Sequence, residues 1–178
     1  MDIYFLRHAN AGEPKFSPAK DEKRPIDKLG IEQSHDVGRA LAALDVSPDV
    51  IISSPLRRAT QTAAVVANEL GYEDKVITDV ALRPEANYEK FQDLLRRHGR
   101  REAIMLVGHN PSITDFLAKI IAKSGCEAQI DFKKGAVARV ETGRRSATLD
   151  WFFTPRLARE IQTAAVSANK SQPKTSRK

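Results

Sequence analysis

The chain has 178 residues, 41% of them hydrophobic, which lets one domain bury a core without disulfides or a structural metal. Its single cysteine, Cys126, excludes an internal disulfide and offers no metal-ligand spacing, pointing to a reducing compartment, and no apolar run approaches the roughly 20 residues of a membrane helix, so a cytoplasmic protein with no membrane partner is expected. The formal charge of +6 is concentrated late, with six basic residues and one acid from Pro155 onward, so the nearly neutral body gives little reason to expect a nucleic-acid partner.

Apolar runs, short turns and amphipathic stretches alternate along the chain, which predicts an α/β domain with a mostly parallel sheet in a three-layer αβα sandwich. Residues 2–7 read as a covered central strand, apolar on both faces. A helix follows, with Asp27 as its cap, Ile26 and Ile31 as a staple across the cap, and Leu29, Val37, Leu41 and Leu44 as its apolar stripe. Residues 49–53 form a second buried strand, and the next helix has Ser54 placed to cap it, Pro55 in its first turn and Gly71 at its stop.

Lys75 to Thr78 suggest a third strand, and residues 87–97 a helix closed by Gly99, with His98 solvated at its end. Residues 102–107 are another buried strand, followed by a helix with Asn110 as cap and Pro111 in its first turn. The segments GAVARVET and SATLDWFF, joined by GRR, read as a hairpin that completes the sheet. The catalytic domain is expected to span residues 1–154, with 155–178 a basic extension whose last dozen residues have the composition of disorder.

In open α/β sheets ligands bind beyond the carboxyl ends of the strands. Three such junctions here carry unusual side chains: Arg7 and His8, then Arg57 and Arg58, then His109. Arginines in the first turn of a helix stand against the helix dipole at a cost of about 0.3–1 kcal/mol each, which a bound anion would remove. Histidine and helix N-termini suit the same ligand, so the three junctions together predict a phosphate clamp with a built-in nucleophile. Arginines would repel a metal from His8 and His109, and His35 makes no ligand pair with either. Neither metal nor organic cofactor is expected.

The segments LRHANA, RPIDKLG, SSPLRRATQTA and LVGHNPSI, in this order and spacing, resemble the histidine phosphatase superfamily, and in particular its SixA-type phosphohistidine phosphatases. The resemblance covers residues 1–154 and implies a phosphoglycerate mutase-like fold and a phosphorylated-histidine intermediate. It implies His8 as nucleophile, Arg7 and Arg58 as phosphate ligands and His109 as a further phosphate ligand that adds a third positive group when protonated; Arg57 falls outside the matched position and reads as solvated. Two positions depart from the family pattern: Ala9 replaces the usual glycine after the histidine, and Glu85 lies in the region of the family's proton donor without its surrounding motif.

A protonated phosphohistidine leaves as neutral imidazole and needs no further acid, whereas an alkoxide needs a proton. The expected substrate is therefore a phosphorylated protein such as a phosphorelay or phosphotransfer domain. Small phosphorylated molecules, acted on by a phosphomonoesterase or mutase, are the enzymatic alternative. A non-catalytic phosphoprotein- or polyanion-binding module, suggested by the basic tail, is the alternative of another class.

Overall fold

The computed structural model describes residues 1–122, 128–143 and 146–170. Strand β1 (Asp2–Arg7) sends Ile3 and Phe5 into one apolar layer and Tyr4 and Leu6 into the other, as the alternation of a strand buried on both faces requires. Its neighbours are β4 (Ala103–Gly108), which runs parallel, and β5 (Val137–Thr142), which runs antiparallel. With β2 (Val50–Ser53) beyond β4, and β3 (Ile77–Thr78) and β6 (Ala147–Phe153) at the edges, the order is β3-β2-β4-β1-β5-β6. The hairpin of β5 and β6 forms as expected, and the third strand is confined to two residues at an exposed edge.

After a short helix α1 (Pro18–Glu22), helices α2 (Lys28–Ala43) and α3 (Arg57–Glu69) cover one face of the sheet with Val37, Leu41, Ala59, Ala63 and Val66. Helices α4 (Tyr88–Arg97) and α5 (Ser112–Ile121) cover the other with Phe91, Leu94, Phe116 and Leu117. The architecture is the three-layer αβα sandwich, and the two apolar layers hold the sheet rigid beneath its carboxyl ends. Asp27 caps α2 as expected, accepting from Gly30 N at 2.8 Å, and Gly71, at φ +64°, follows the end of α3.

Several local expectations are corrected. Leu29, Ile31 and Leu44 are exposed, and the inward stripe of α2 is instead Gly30, Ser34, Val37, Gly38 and Leu41. Small residues face inward because other main chain passes close: a Cβ on Gly30 would stand 2.0 Å from Asn10 O. The cap residue of α3 is Leu56 rather than Ser54, and that of α5 is Pro111 rather than Asn110. The chain beyond residue 154 continues the fold: α6 (Pro155–Lys170) packs on α2, burying Ala158, with Arg159 Nε 2.7 Å from Asp36 Oδ2. Cys126, the Arg144–Arg145 turn and residues 171–178, which include most of the expected disordered tail, lie outside the described residues.

Candidate active site

Because β2, β4 and β1 are adjacent, the segments that follow them leave the sheet at one edge. His8 N donates to Gly108 O at 2.9 Å and Ser54 N to Val107 O at 2.8 Å, so both segments stay attached to β4 up to its end. The His8 and His109 rings meet there, 4.9 Å between centres. Arg58 arrives from the first turn of α3 and is only 5% exposed, whereas Arg57 points to solvent, as the roughly 100° between adjacent helical positions demands. Thr62 joins the pieces: its hydroxyl accepts from Ala9 N at 3.1 Å and donates to Arg58 O at 2.7 Å. Ala9 is fully buried at this contact, so the methyl group in the usual glycine position is packed within the fold.

A main-chain hydrogen bond assigns the tautomer of His8, and a hydroxyl faces the ring of His109. His8 Nδ1 lies 2.7 Å from Ala9 O, an acceptor only, so the ring proton sits on Nδ1 and Nε2 keeps a free lone pair. Burial, opposed by that carbonyl bond and reinforced by Arg58, Arg7 and Lys134, lowers the His8 pKa from 6.5 to about 3. His109 Nε2 lies 2.8 Å from Ser54 Oγ, which in turn accepts a long contact from Leu56 N at 3.4 Å. With the Ser54 hydroxyl donating to Nε2, the His109 proton sits on Nδ1, the ring nitrogen buried without a partner of its own among the described residues. Burial first, then His8, Arg58, Arg7 and Arg83, lowers the His109 pKa to about 2. His109 is therefore neutral in the protein's own field, and a bound anion would favour the protonated ring that supplies a third positive group.

The arginines are fastened at one end and unmatched at the other. Arg7 Nη1 donates to Phe132 O at 2.6 Å, and Arg58 Nη1 donates to Asp21 O at 3.0 Å and Asp21 Oδ2 at 3.2 Å. Arg7 Nε, Arg58 Nε and His109 Nδ1 are buried without a hydrogen-bond partner among the described residues. Leaving such groups unmatched costs about 1–3 kcal/mol each, more for charged ones, so this arrangement is built for an acceptor from outside the chain. A phosphoryl group supplies the oxygens and the negative charge that two guanidinium edges and an imidazole N–H require. Among the described residues no three His, Cys, Asp or Glu side chains form a group that could hold a metal ion.

Glu85 makes no hydrogen bond to this cluster among the described residues. Its side chain is 65% exposed and lies 2.5 Å from Arg83 Nε, while Arg83 Nη2 pairs with Glu22. Partial burial works to raise the Glu85 pKa, but Arg83 outweighs it and the net shift is downward, the wrong direction for a proton donor near neutrality. Sequence reasoning missed four contributors: Ser54, which orients His109; Thr62; Asp21, which holds Arg58; and Lys134, which lies close enough to His8 to lower its pKa and donates to Asn10 Oδ1 at 2.8 Å. Thr62 alone left a signal, lying one turn beyond Arg58 in the RATQT run.

The chain belongs to the histidine phosphatase superfamily (branch 1), whose family model matches residues 3–104. It is accordingly a phosphatase, a hydrolase acting on phosphate. It is 31% identical over 146 residues to an uncharacterized protein of Picosynechococcus sp., covering 80% of this chain and 86% of that one. The protein histidine phosphatase SixA complexed with tungstate shares the fold, with a TM-score of 0.76, 21% identity and coverage of 88% of this chain and 99% of that one. The alpha-ribazole phosphatase from Shigella flexneri superposes with a TM-score of 0.68 at 17% identity, covering 87% and 97% respectively.

Proposed function

We propose that the protein hydrolyses the N–P bond of phosphohistidine on a phosphoprotein, by way of a phosphoryl group carried on His8 Nε2. The observation that carries this reading is the Nδ1 contact of His8 with Ala9 O, which leaves Nε2 bare in a neutral, buried ring beside three unmatched donors. In-line transfer needs little else from the protein: a positioned lone pair and fixed positive groups on the equatorial oxygens. Arg7 and Arg58 hold those oxygens through their Nε edges, and His109 adds an N–H from Nδ1. His8 Nε2 attacks phosphorus as the N–P bond breaks, and a substrate ring already protonated on its other nitrogen takes the bonding pair and leaves as neutral imidazole. Water then attacks the phosphoryl group on His8, releasing orthophosphate and the free ring.

The position of Glu85 supports this choice of substrate class. Glu85 is exposed, tied to Arg83 and shifted toward the ionised form, which supports a leaving group that departs neutral. The fold is shared with a small-molecule phosphatase as well as with SixA, so the test is a panel of a phosphohistidine protein, phosphoramidate, p-nitrophenyl phosphate and sugar phosphates. Phosphohistidine protein should be turned over with the highest kcat/KM, and radiolabel from it should be trapped on wild-type protein and not on His8→Ala. A preference for sugar phosphates would replace this reading with a phosphomonoesterase. Binding of the phosphoprotein without turnover would replace it with a non-catalytic module.

A further inference from the structure

The segment between β1 and α2 carries an exposed aromatic side chain and is fastened to the phosphate clamp. Phe16 is fully exposed, at 107% of its reference area, between Pro14 and Pro18. Proline fixes φ on either side of it, so this apolar ring stands on a stiffened turn. Asp21 gathers the segment: Oδ1 accepts from Lys15 N at 2.9 Å and Arg24 Nε at 2.8 Å, and Oδ2 accepts from Arg58. Arg24, 8% exposed, spans to Ala11 O at 2.7 Å and Gly12 O at 3.0 Å, and Glu22 pairs with Arg83. Asp21 and Glu22 are thus turned to cations at the site, whereas Glu13 is exposed with no salt bridge among the described residues. Lys15, Lys20 and Lys23 are exposed and have no salt-bridge partner among the described residues.

We propose that Phe16, Lys15, Lys20 and Lys23 form a docking lip for an acidic protein surface that flanks the phosphorylated histidine of the substrate. The inference rests on the phosphoprotein reading above. Charge decides the partner: the outward face of the lip is cationic with one aromatic ring, the combination that pairs with carboxylates around an apolar residue. A nucleic acid fits less well, because the body of the chain is nearly neutral and offers no extended cationic track for a phosphodiester backbone. The rigid ties to Arg58 and Arg83 mean that a protein held at the lip keeps a fixed distance from the clamp, and docking energy is gained before chemistry begins.

The test compares two substrates of one reaction: a histidine phosphotransfer domain of net negative charge, phosphorylated with phosphoramidate, and phosphoramidate alone. Phe16→Ser and the pair Lys20→Glu with Lys23→Glu should each lower kcat/KM on the phosphorylated domain about 10-fold or more, mainly through KM, and leave phosphoramidate turnover within about twofold. The lysine effect should shrink in about 0.5 M salt. Equal losses on both substrates, or no loss on the domain, overturn the lip. A wild-type protein that turns over phosphoramidate but not the phosphorylated domain overturns the phosphoprotein reading itself, and the lip with it. Tight binding of single-stranded DNA abolished by the same lysine changes would assign the surface to another partner and overturn the proposal.

Discussion

Two histidines held neutral inside the fold make stability depend on pH in a way that can be counted in protons. In the unfolded chain each imidazole titrates at about 6.5, whereas in the folded protein His8 titrates at about 3 and His109 at about 2. Between those values the unfolded state binds the extra proton, so stability rises with pH through the window and is lost as pH falls below 6.5. At pH 5 each ring disfavours folding by about 2 kcal/mol relative to pH 7, following 1.36 kcal/mol per pKa unit over the portion of the shift already exposed. Both rings are nearly inaccessible, at 6% and 1% exposure, so solvent screening removes little of this.

The assay is urea unfolding of wild type, His8→Gln and His109→Gln at pH 7.0 and 5.0. Each variant should lose about 2 kcal/mol less than wild type between the two pH values, about one proton fewer taken up on unfolding. Orthophosphate should reduce the wild-type loss, because an anion beside His109 favours its protonated form. A pH dependence identical in wild type and both variants would show that neither ring is held neutral, and would refute the account of His8 as a ready nucleophile.

Other substitutions separate the remaining roles. Arg58→Ala should lower kcat/KM about 10- to 100-fold, the scale of lost charge-assisted hydrogen bonds, while Arg57→Ala stays within about twofold; equal losses would sink the choice between them. Ser54→Ala frees the His109 tautomer and leaves Nε2 buried without a partner, so it should lower kcat/KM about 10-fold and destabilise the fold by about 1–3 kcal/mol, checked by steady-state kinetics and urea unfolding in parallel. Glu85→Gln should change p-nitrophenyl phosphate hydrolysis less than about threefold; a loss near 100-fold is the signature of general acid catalysis and would return Glu85 to the site.

Much of the clamp is legible in the sequence because its parts break local rules. A strand apolar on both faces that ends in Arg7 and His8, and an arginine pair in the first turn of a helix, are poor choices for folding alone, and each violation marks a side chain reserved for something outside the chain. Arg58 is separable from Arg57 by helix geometry, and the structure buries one and exposes the other. The charge state of His109 was not legible, because it depends on a depth of burial and a crowd of cations that only the assembled fold creates. Ser54 obeys the local rule for a helix cap, so nothing in the sequence marks its contact with His109, 55 residues away. The stripe of α2 misleads for a related reason: apolar periodicity cannot foresee that Gly30 faces inward because the loop after His8 crosses it.

Asp21 was hidden more deeply, since an acid in a polar loop reads as solvated, yet it gives the clamp its geometry. Arg7 and Arg58 each spend Nη1 on a fixed acceptor of the protein, one a main-chain carbonyl and the other Asp21, and each keeps Nε unmatched. Holding the far end of a guanidinium orders its long side chain during folding, so little rotamer freedom remains to be lost when phosphate arrives. The same tie explains how a carboxylate can stand so near an anion site without spoiling it. Burial works against the ionised form of Asp21, but Arg24, the Lys15 N–H and Arg58 together lower its pKa to about 2, so its charge is already engaged on the side away from the Nε edge. The site therefore presents oriented donors to phosphate at fixed positions, which is the form of electrostatic stabilisation that requires no rearrangement when charge develops on the transferring group.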